Sequence, residues 1–457
     1  MSFNELALDP RLVKNLGELN FTLMTPIQKS SLPHLLNDKD MIAQAETGSG
    51  KTLAFGLGIL NKIKVKNTRP QSLVLCPTRE LAEQVATELR KIGRLIPNIK
   101  VLTITGGKSE YQQERSLAHG AHIVVGTTGR VRKLLNRKVL NLEFVETYVL
   151  DEADRMLDMG FIEDIEEITD YLPREHQTLL FSATFPDNIK ELSQQIQRDD
   201  VIHVQEEVSE KDLIEEVFFR LDDHKEKTSA LLTVLGEYQP QQFIIFCKTK
   251  VISDSVAREL AREGIEVEPI HGDLDQRDRT SVLSRFANGS INGLVATDVA
   301  ARGIDVKGLD LVVNLDLPFD PEVYVHRIGR TGRAGEKGVA VSFYIPKEEE
   351  LFDRISDFRN AEFKVQNIND CESHPYDIKP FMKTLFISGG KRDKLRPTDI
   401  VGAIVGEAKI DFEAIGKINI FPVYSYVAIK LDQYHHVLKS LERGKIKNRK
   451  FKVGHVR

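Results

Sequence analysis

Short apolar runs separated by longer amphipathic stretches occur twice in succession along this chain, and that alternation constrains its fold more than any other feature. In the first half the runs cover residues 41–45, 72–76, 101–104, 122–126, 147–151 and 178–182, with helical stretches such as 78–92 between them. Runs this short and this apolar are strands buried on both faces. Strands that alternate with helices form a parallel sheet covered on either side. A polar, acidic stretch at 206–212 reads as a linker, and the pattern restarts with runs at 217–220, 242–247, 267–270, 293–296, 311–314 and 339–344. One α/β architecture is therefore expected twice, over residues 1–205 and 213–362, with a cleft between the two domains as a natural ligand site. Residues 363–382 read as a second linker. Residues 383–457 show the strand, helix, strand, strand, helix, strand order of a small split βαβ domain, an α+β fold.

Charge separates that last domain from the rest. The chain of 457 residues has a net charge of −5, yet residues 383–457 hold 16 Lys and Arg against 7 Asp and Glu, and the remainder holds 47 against 61. A basic tail on an acidic body points to an anionic partner at the C-terminus, although a solvated basic face has the same composition. No apolar run reaches the ~18 residues a membrane helix needs. The N-terminus has no basic region followed by an apolar stretch. Cys76, Cys247 and Cys371 are too dispersed for a disulfide framework or a zinc site. A cytoplasmic protein without membrane attachment is expected.

Chemistry concentrates at three places. Ala45-Glu46-Thr47-Gly48-Ser49-Gly50-Lys51-Thr52 follows a strand and opens a helix. Its glycines let backbone N–H groups face a phosphate, Lys51 reaches the β/γ-phosphates, and the Thr52 hydroxyl suits Mg²⁺. A Gly-rich turn before a helix is the plainer reading. The strand at 147–151 ends in Asp151-Glu152-Ala153-Asp154, which sets a carboxylate where a phosphate-bound Mg²⁺ needs one. Asp151 is the expected metal-orienting residue, and Glu152 the one that polarises the attacking water. In the second domain, His326-Arg327-Ile328-Gly329-Arg330-Thr331-Gly332-Arg333 offers arginines to neutralise charge on a transferring phosphate, with Arg330 and Arg333 the expected pair.

Taken together, these blocks resemble the DEAD-box ATP-dependent RNA helicases over residues 1–360. The resemblance implies two tandem RecA-like domains that close when ATP and RNA bind. It implies an adenine site at Phe21 and Gln28 with Phe3 stacking on the base, phosphate contacts from Thr47, Gly48, Ser49, Gly50, Lys51 and Thr52, and completion of the site by Gly303 and Asp305. It implies RNA contacts at Thr78, Arg79, Gly106, Gly107, Thr127, Gly129 and Arg130 in the first domain, and at Lys248, Gln276, Arg279 and Thr297 in the second. Ser182, Thr184 and His326 are implied to couple hydrolysis to strand separation. Two departures stand out. Thr128 replaces the usual proline, so a less rigid loop is expected there. Asn20 replaces the usual glycine, a position where Asn tolerates positive φ.

Alternation in the tail places Phe386, Tyr424 and Tyr426 on the sheet face opposite Leu385, Ile387, Val423, Val427 and Ile429, which are expected to pack against helices. This resembles an RNA recognition motif, whose sheet stacks bases on aromatic rings. Its consensus is degraded at Pro422-Val423, Ile429 and Gly389-Gly390. Basic residues flank it at Lys391, Arg392, Lys394 and Arg396, and again at Lys445, Lys447, Arg449, Lys450 and Lys452, so RNA binding by the flanks stays open beside binding by the sheet. A helicase core with this module is similar to the bacterial DEAD-box protein A group. That similarity implies a monomer acting on 23S ribosomal RNA, near hairpin 92, in a precursor of the large ribosomal subunit. An ATP-dependent RNA clamp or general RNA chaperone, and a DNA helicase, are the alternatives.

Overall fold

The computed structural model describes residues 2–45, 49–185, 187–205, 214–298, 308–332, 337–372 and 374–456. The expected linker at 206–212 lies outside them. The chain divides into two compact units, the first holding the N-terminal sheet and the second holding both the later sheet and the C-terminal domain.

The first unit is a seven-stranded sheet in the order Val101–Ile104, Ile123–Thr127, Ser72–Cys76, Thr147–Asp151, Gln177–Ser182, Met41–Gln44, Ile202–Gln205. All its neighbouring strands run parallel. Successive residues of Ser72–Cys76 point to opposite faces, and all are buried. Val74 and Cys76 join one apolar core, with Leu8, Leu12, Phe55 and Leu89, while Leu73 and Leu75 join the other, with Val131, Leu134 and Ile165. Helices therefore cover both faces, which explains why the strands read as uninterrupted apolar runs.

The second unit repeats the plan. Its seven-stranded parallel sheet runs Val267–Ile270, Gly293–Thr297, Phe243–Cys247, Leu311–Asn314, Gly338–Tyr344, Ile214–Arg220, Val365–Gln366. Each strand occupies the place of its counterpart in the first sheet. These are two RecA-like folds.

Residues 363–372 and 374–376, part of the expected linker 363–382, are laid along the second sheet. Val365–Gln366 pairs with Ile214–Arg220, Phe363 packs on Phe218 at 4.7 Å, and the Tyr376 ring meets Phe243 edge-on at 5.9 Å. The Tyr376 hydroxyl donates to the Pro240 carbonyl at 2.8 Å.

The C-terminal domain is a four-stranded antiparallel sheet ordered Ile415–Ile420, Ser425–Lys430, Met382–Ile387, Val453–His455. This is the order of an RNA recognition motif. Leu385, Ile387, Val427 and Ile429 pack with Ile400, Ile404, Val437 and Leu441 from its two helical segments. Val423, expected on that face, is exposed instead, because it precedes the strand Ser425–Lys430. Among the described residues no helix is long and apolar enough to cross a membrane.

Candidate active site and nucleic-acid interface

The strand Met41–Gln44 feeds the phosphate-loop motif, and the helix Lys51–Lys62 leaves it. Gly50 has φ +96°, and a Cβ there would lie 2.3 Å from Gln28 Nε2, so only glycine fits. Gln28 Nε2 donates to the Gly50 carbonyl at 3.0 Å while its Oε1 accepts from Thr25 N at 3.0 Å. The two nucleotide motifs are thus hydrogen-bonded to one another. Lys51 Nζ is buried 3.8 Å from Asp151 Oδ1, and neither atom has a hydrogen-bond partner among the described residues. Burial pushes the Asp151 carboxyl up to about 6, against the opposing pull of Lys51. A buried ammonium and a buried carboxylate oxygen left unbonded at a helix N-terminus suit a phosphate bound with a divalent cation. Thr52 sits half-buried on the same first turn, and Ser49 at the edge of the described loop. Thr47 and Gly48 lie outside the described residues. Phe3 is buried in the first core with Leu8 and Leu12 rather than presenting a free face. Phe21 is half exposed, with Lys91 Nζ 5.8 Å from its ring centre. Asn20, before it, has φ +61°.

Glu152 adopts a left-handed conformation (φ +56°) and pairs with Arg155 at 2.8 Å, both buried. The last acid of the block, Asp154, was not singled out from sequence, yet it ties the block to the end of the neighbouring strand. Asp154 Oδ2 accepts from Ala183 N and Thr184 N at 3.0 Å each and from Thr184 Oγ1 at 3.1 Å. Ser182 ends the neighbouring strand, its hydroxyl buried without a partner among the described residues. The signal for Asp154 was its position three residues past the end of a strand that pairs with the strand ending in Ser182.

Arg79 is exposed and lies across Gly106, where a Cβ would come within 2.8 Å of its Nη2, so two of the RNA blocks meet. Gly107 turns the chain with φ +73°. Thr78 caps its helix, its Oγ1 accepting from Leu81 N at 3.2 Å. Thr127 precedes the helix Thr128–Asn136, Gly129 is exposed on its first turn, and Arg130 reaches Gln113 Oε1 at 3.3 Å. The less rigid loop expected at Thr128 is not found. Thr128 is the first helical residue and is buried, a position where proline and threonine both fit.

In the second unit, Lys248 projects into solvent while its N–H donates to Asp316 Oδ2 at 2.9 Å. Gln276 opens the helix Gln276–Phe286, Arg279 follows one turn on, and Thr297 ends its strand. Arg327 forms a bidentate pair with Asp298 (2.6 and 2.8 Å) and also reaches the Asn314 side chain and the Asp316 carbonyl. It is committed to holding the domain together. Arg330 is buried, and His326 is half-buried on the helix Pro321–Ile328. Gly303, Asp305 and Arg333 lie outside the described residues. His224, Asp316 and Glu348 cluster at metal-ligand spacing, but the Lys227 ammonium lies 2.9 Å from Asp316 and 3.1 Å from Glu348 and already occupies both carboxylates.

The C-terminal sheet face is divided. At one end Thr384 is buried against the second RecA-like fold, its hydroxyl bonded to Asn288 Nδ2 at 2.9 Å and Ser290 Oγ at 2.8 Å. At the other end Phe386, Tyr424 and Tyr426 form one aromatic cluster, joined by Phe421 stacked on Tyr424 at 4.6 Å. Tyr426 is buried, while Phe386, Phe421 and Tyr424 are half-buried. Lys391 N and Arg392 N donate to the Phe421 and Pro422 carbonyls, both at 2.9 Å. A Cβ on Gly390 would come within 2.3 Å of the Phe421 carbonyl, which explains the glycine. Lys447 Nζ donates to the Lys394 carbonyl at 2.8 Å. The two basic clusters therefore adjoin each other, and the first adjoins the aromatic end. Lys445, Arg449 and Lys450 are exposed beside them.

Comparison with known proteins agrees with this arrangement. Residues 25–192 match the DEAD/DEAH box helicase family and residues 226–335 the helicase conserved C-terminal domain. The chain belongs to the DEAD-box ATP-dependent RNA helicases. Within that family it is closely related to bacterial DbpA. It is 45% identical over 446 residues to the ATP-dependent RNA helicase DbpA of Escherichia coli K12, covering 98% of this chain and 97% of that one. Residues 384–455 match the DbpA RNA binding domain, so the tail is an RNA-binding module of that type. The helicase CshA of Geobacillus kaustophilus is 48% identical over 349 residues, 76% of this chain and 74% of its own. Among solved structures, S. cerevisiae Dbp5 bound to RNA and ADP BeF3 superposes with a TM-score of 0.74 at 34% identity, covering 81% of this chain and 96% of that one.

Proposed function

We propose that this helicase acts on a hairpin region of 23S ribosomal RNA, in the neighbourhood of hairpin 92, during assembly of the large ribosomal subunit, and works as a monomer. The observation that carries the target is the DbpA-type RNA-binding domain at residues 384–455, whose basic clusters adjoin its aromatic end. An anchor of this kind holds the core beside a chosen RNA while the core opens a short neighbouring duplex.

In the proposed cycle, Lys51 binds the β/γ-phosphates, and Thr52 and Asp151 hold Mg²⁺. When bound, Mg²⁺ offsets charge on the phosphates. Gln28 reads the adenine edge and reports on the phosphate loop through its bond to Gly50. Glu152 orients the attacking water. Arg330 and Arg333 approach only when the two units close, so hydrolysis waits for RNA. Asp154 transmits the state of the site to Ala183 and Thr184. Arg79, Gly106, Gly107, Thr127, Gly129 and Arg130, with Lys248, Gln276, Arg279 and Thr297, grip one strand by its backbone. ATP turnover then alternates tight and weak RNA binding.

Steady-state ATPase measured without RNA, with homopolymer RNA and with 23S ribosomal RNA at equal nucleotide concentration tests the target. Much stronger stimulation by ribosomal RNA is expected. Equal stimulation by both RNAs would leave the helicase and remove the target.

A further inference from the structure

The helix Gln276–Phe286 carries Arg277 in its first turn, between Gln276 and Arg279. Arg277 is exposed, and its guanidinium lies 5.7 Å from the centre of the Tyr424 ring in the C-terminal domain. Tyr424 in turn stacks on Phe421 (4.6 Å, 29° between planes), and the Phe421 carbonyl accepts from Lys391 N. Neither Arg277 nor Phe421 belongs to the motif residues above, yet the two bracket Tyr424. The stacked pair Tyr424 and Phe421 is thus flanked by Arg277, two residues before Arg279, on one side and by Lys391 and Arg392 on the other. Such a row suits single-stranded nucleic acid, in which bases stack on rings and phosphates meet cations.

We propose that Arg277, Tyr424 and Phe421 form a single-strand RNA subsite that bridges the second RecA-like fold and the C-terminal domain. A strand leaving the core at Gln276 and Arg279 continues onto the aromatic pair, with Arg277 at the crossing. The Thr384 hydroxyl, bonded to Asn288 and Ser290, holds the two domains in the register the crossing needs. The subsite rests on the strand-gripping reading of Gln276 and Arg279. It differs from a sheet that stacks bases alone, because one of its groups comes from the helicase core.

The test uses the full chain and two probes, a short RNA hairpin and the same hairpin with a single-stranded uridine extension. Wild type should bind the extended RNA more tightly. Tyr424→Ala should reduce that gain about tenfold and Arg277→Ala about threefold, and Arg277→Ala should leave binding of the bare hairpin unchanged. Tyr424→Trp should restore it, because the indole also stacks. The subsite is overturned if the gain survives both alanine variants. It is equally overturned if Arg277→Ala lowers the melting temperature and weakens both RNAs alike, since the contact would then be only a domain latch. Absence of RNA-stimulated ATPase in wild type would instead sink the strand-gripping reading itself.

Discussion

Two side chains in the first unit show how a residue's worth depends on what it leaves behind. Lys51 and Asp151 are buried 3.8 Å apart with no hydrogen-bond partner on either atom among the described residues. A geometry so costly without ligand is kept for binding. Lys51→Ala is expected to abolish ATP turnover while the chain stays folded, since Asp151, freed of the opposing pull of Lys51, takes up a proton more readily and leaves no buried charge unpaired. Near wild-type turnover would refute the assignment. Asp154 is the opposite case, because its Oδ2 is fully used by Ala183 N, Thr184 N and the Thr184 hydroxyl. Asp154→Ala leaves two backbone donors without that acceptor, at a cost of about 1–3 kcal/mol. It should lower the melting temperature and reduce duplex unwinding more than ATP hydrolysis. Unwinding and hydrolysis falling in proportion would remove Asp154 from the coupling. Asp151 and Lys51 were legible because strand-end acids and Gly-rich loops have one chemistry in common. Asp154 was hidden, since an acid in the first turn of a helix is ordinary.

Whether an element is legible in sequence follows from how it is buried. Strands such as Ser72–Cys76 and Phe243–Cys247 are buried throughout and read as apolar runs. The edge strands Ile202–Gln205 and Val365–Gln366 escaped, because they are mostly unburied and carry no such run, unlike Val101–Ile104 at the opposite edge of the first sheet. Residues 363–372 and 374–376 escaped for a related reason. The apolar residues among them are spaced apart and fill separate sites, Phe363 on Phe218 and Tyr376 on Phe243. Gly236 shows how close the fit is, since a Cβ there would lie 1.8 Å from the His374 carbonyl oxygen. Gly236→Ala is expected to lift the segment and cost about 1–3 kcal/mol by overpacking. Limited proteolysis near residue 374 should then speed up. An unchanged cleavage rate would show that the segment is held by its other contacts alone. Thr384 was likewise invisible as a contact residue, for alternation gave the face it sits on but not what covers that face.

At the scale of the whole molecule, charge and recognition coincide. Residues 383–457 hold 16 of the 63 Lys and Arg but only 7 of the 68 Asp and Glu. Most of the favourable electrostatics toward RNA therefore belongs to the tail, while the acidic body gains little from long-range attraction. The residues proposed to grip RNA in the core are largely backbone turns and a few cationic or polar side chains, a set suited to positioning a strand without reading it. Removing 383–457 should thus separate the two roles. The shortened chain is expected to keep RNA-stimulated ATPase at high RNA concentration and to lose preference for ribosomal RNA over homopolymer. Its dependence of binding on salt should also flatten, by roughly 0.7 in the log–log slope for each lost contact to a single-strand phosphate. The truncation uncovers Asn288 and Ser290, which bond to Thr384, so some loss of stability accompanies it. Titrating both chains with both RNAs at two salt concentrations distinguishes these effects. Lost stability lowers ATPase with either RNA, whereas lost recognition changes only the ratio between them. A truncated chain that still prefers ribosomal RNA, with an unchanged salt slope, would put recognition in the core and leave the tail's charge without a role in it.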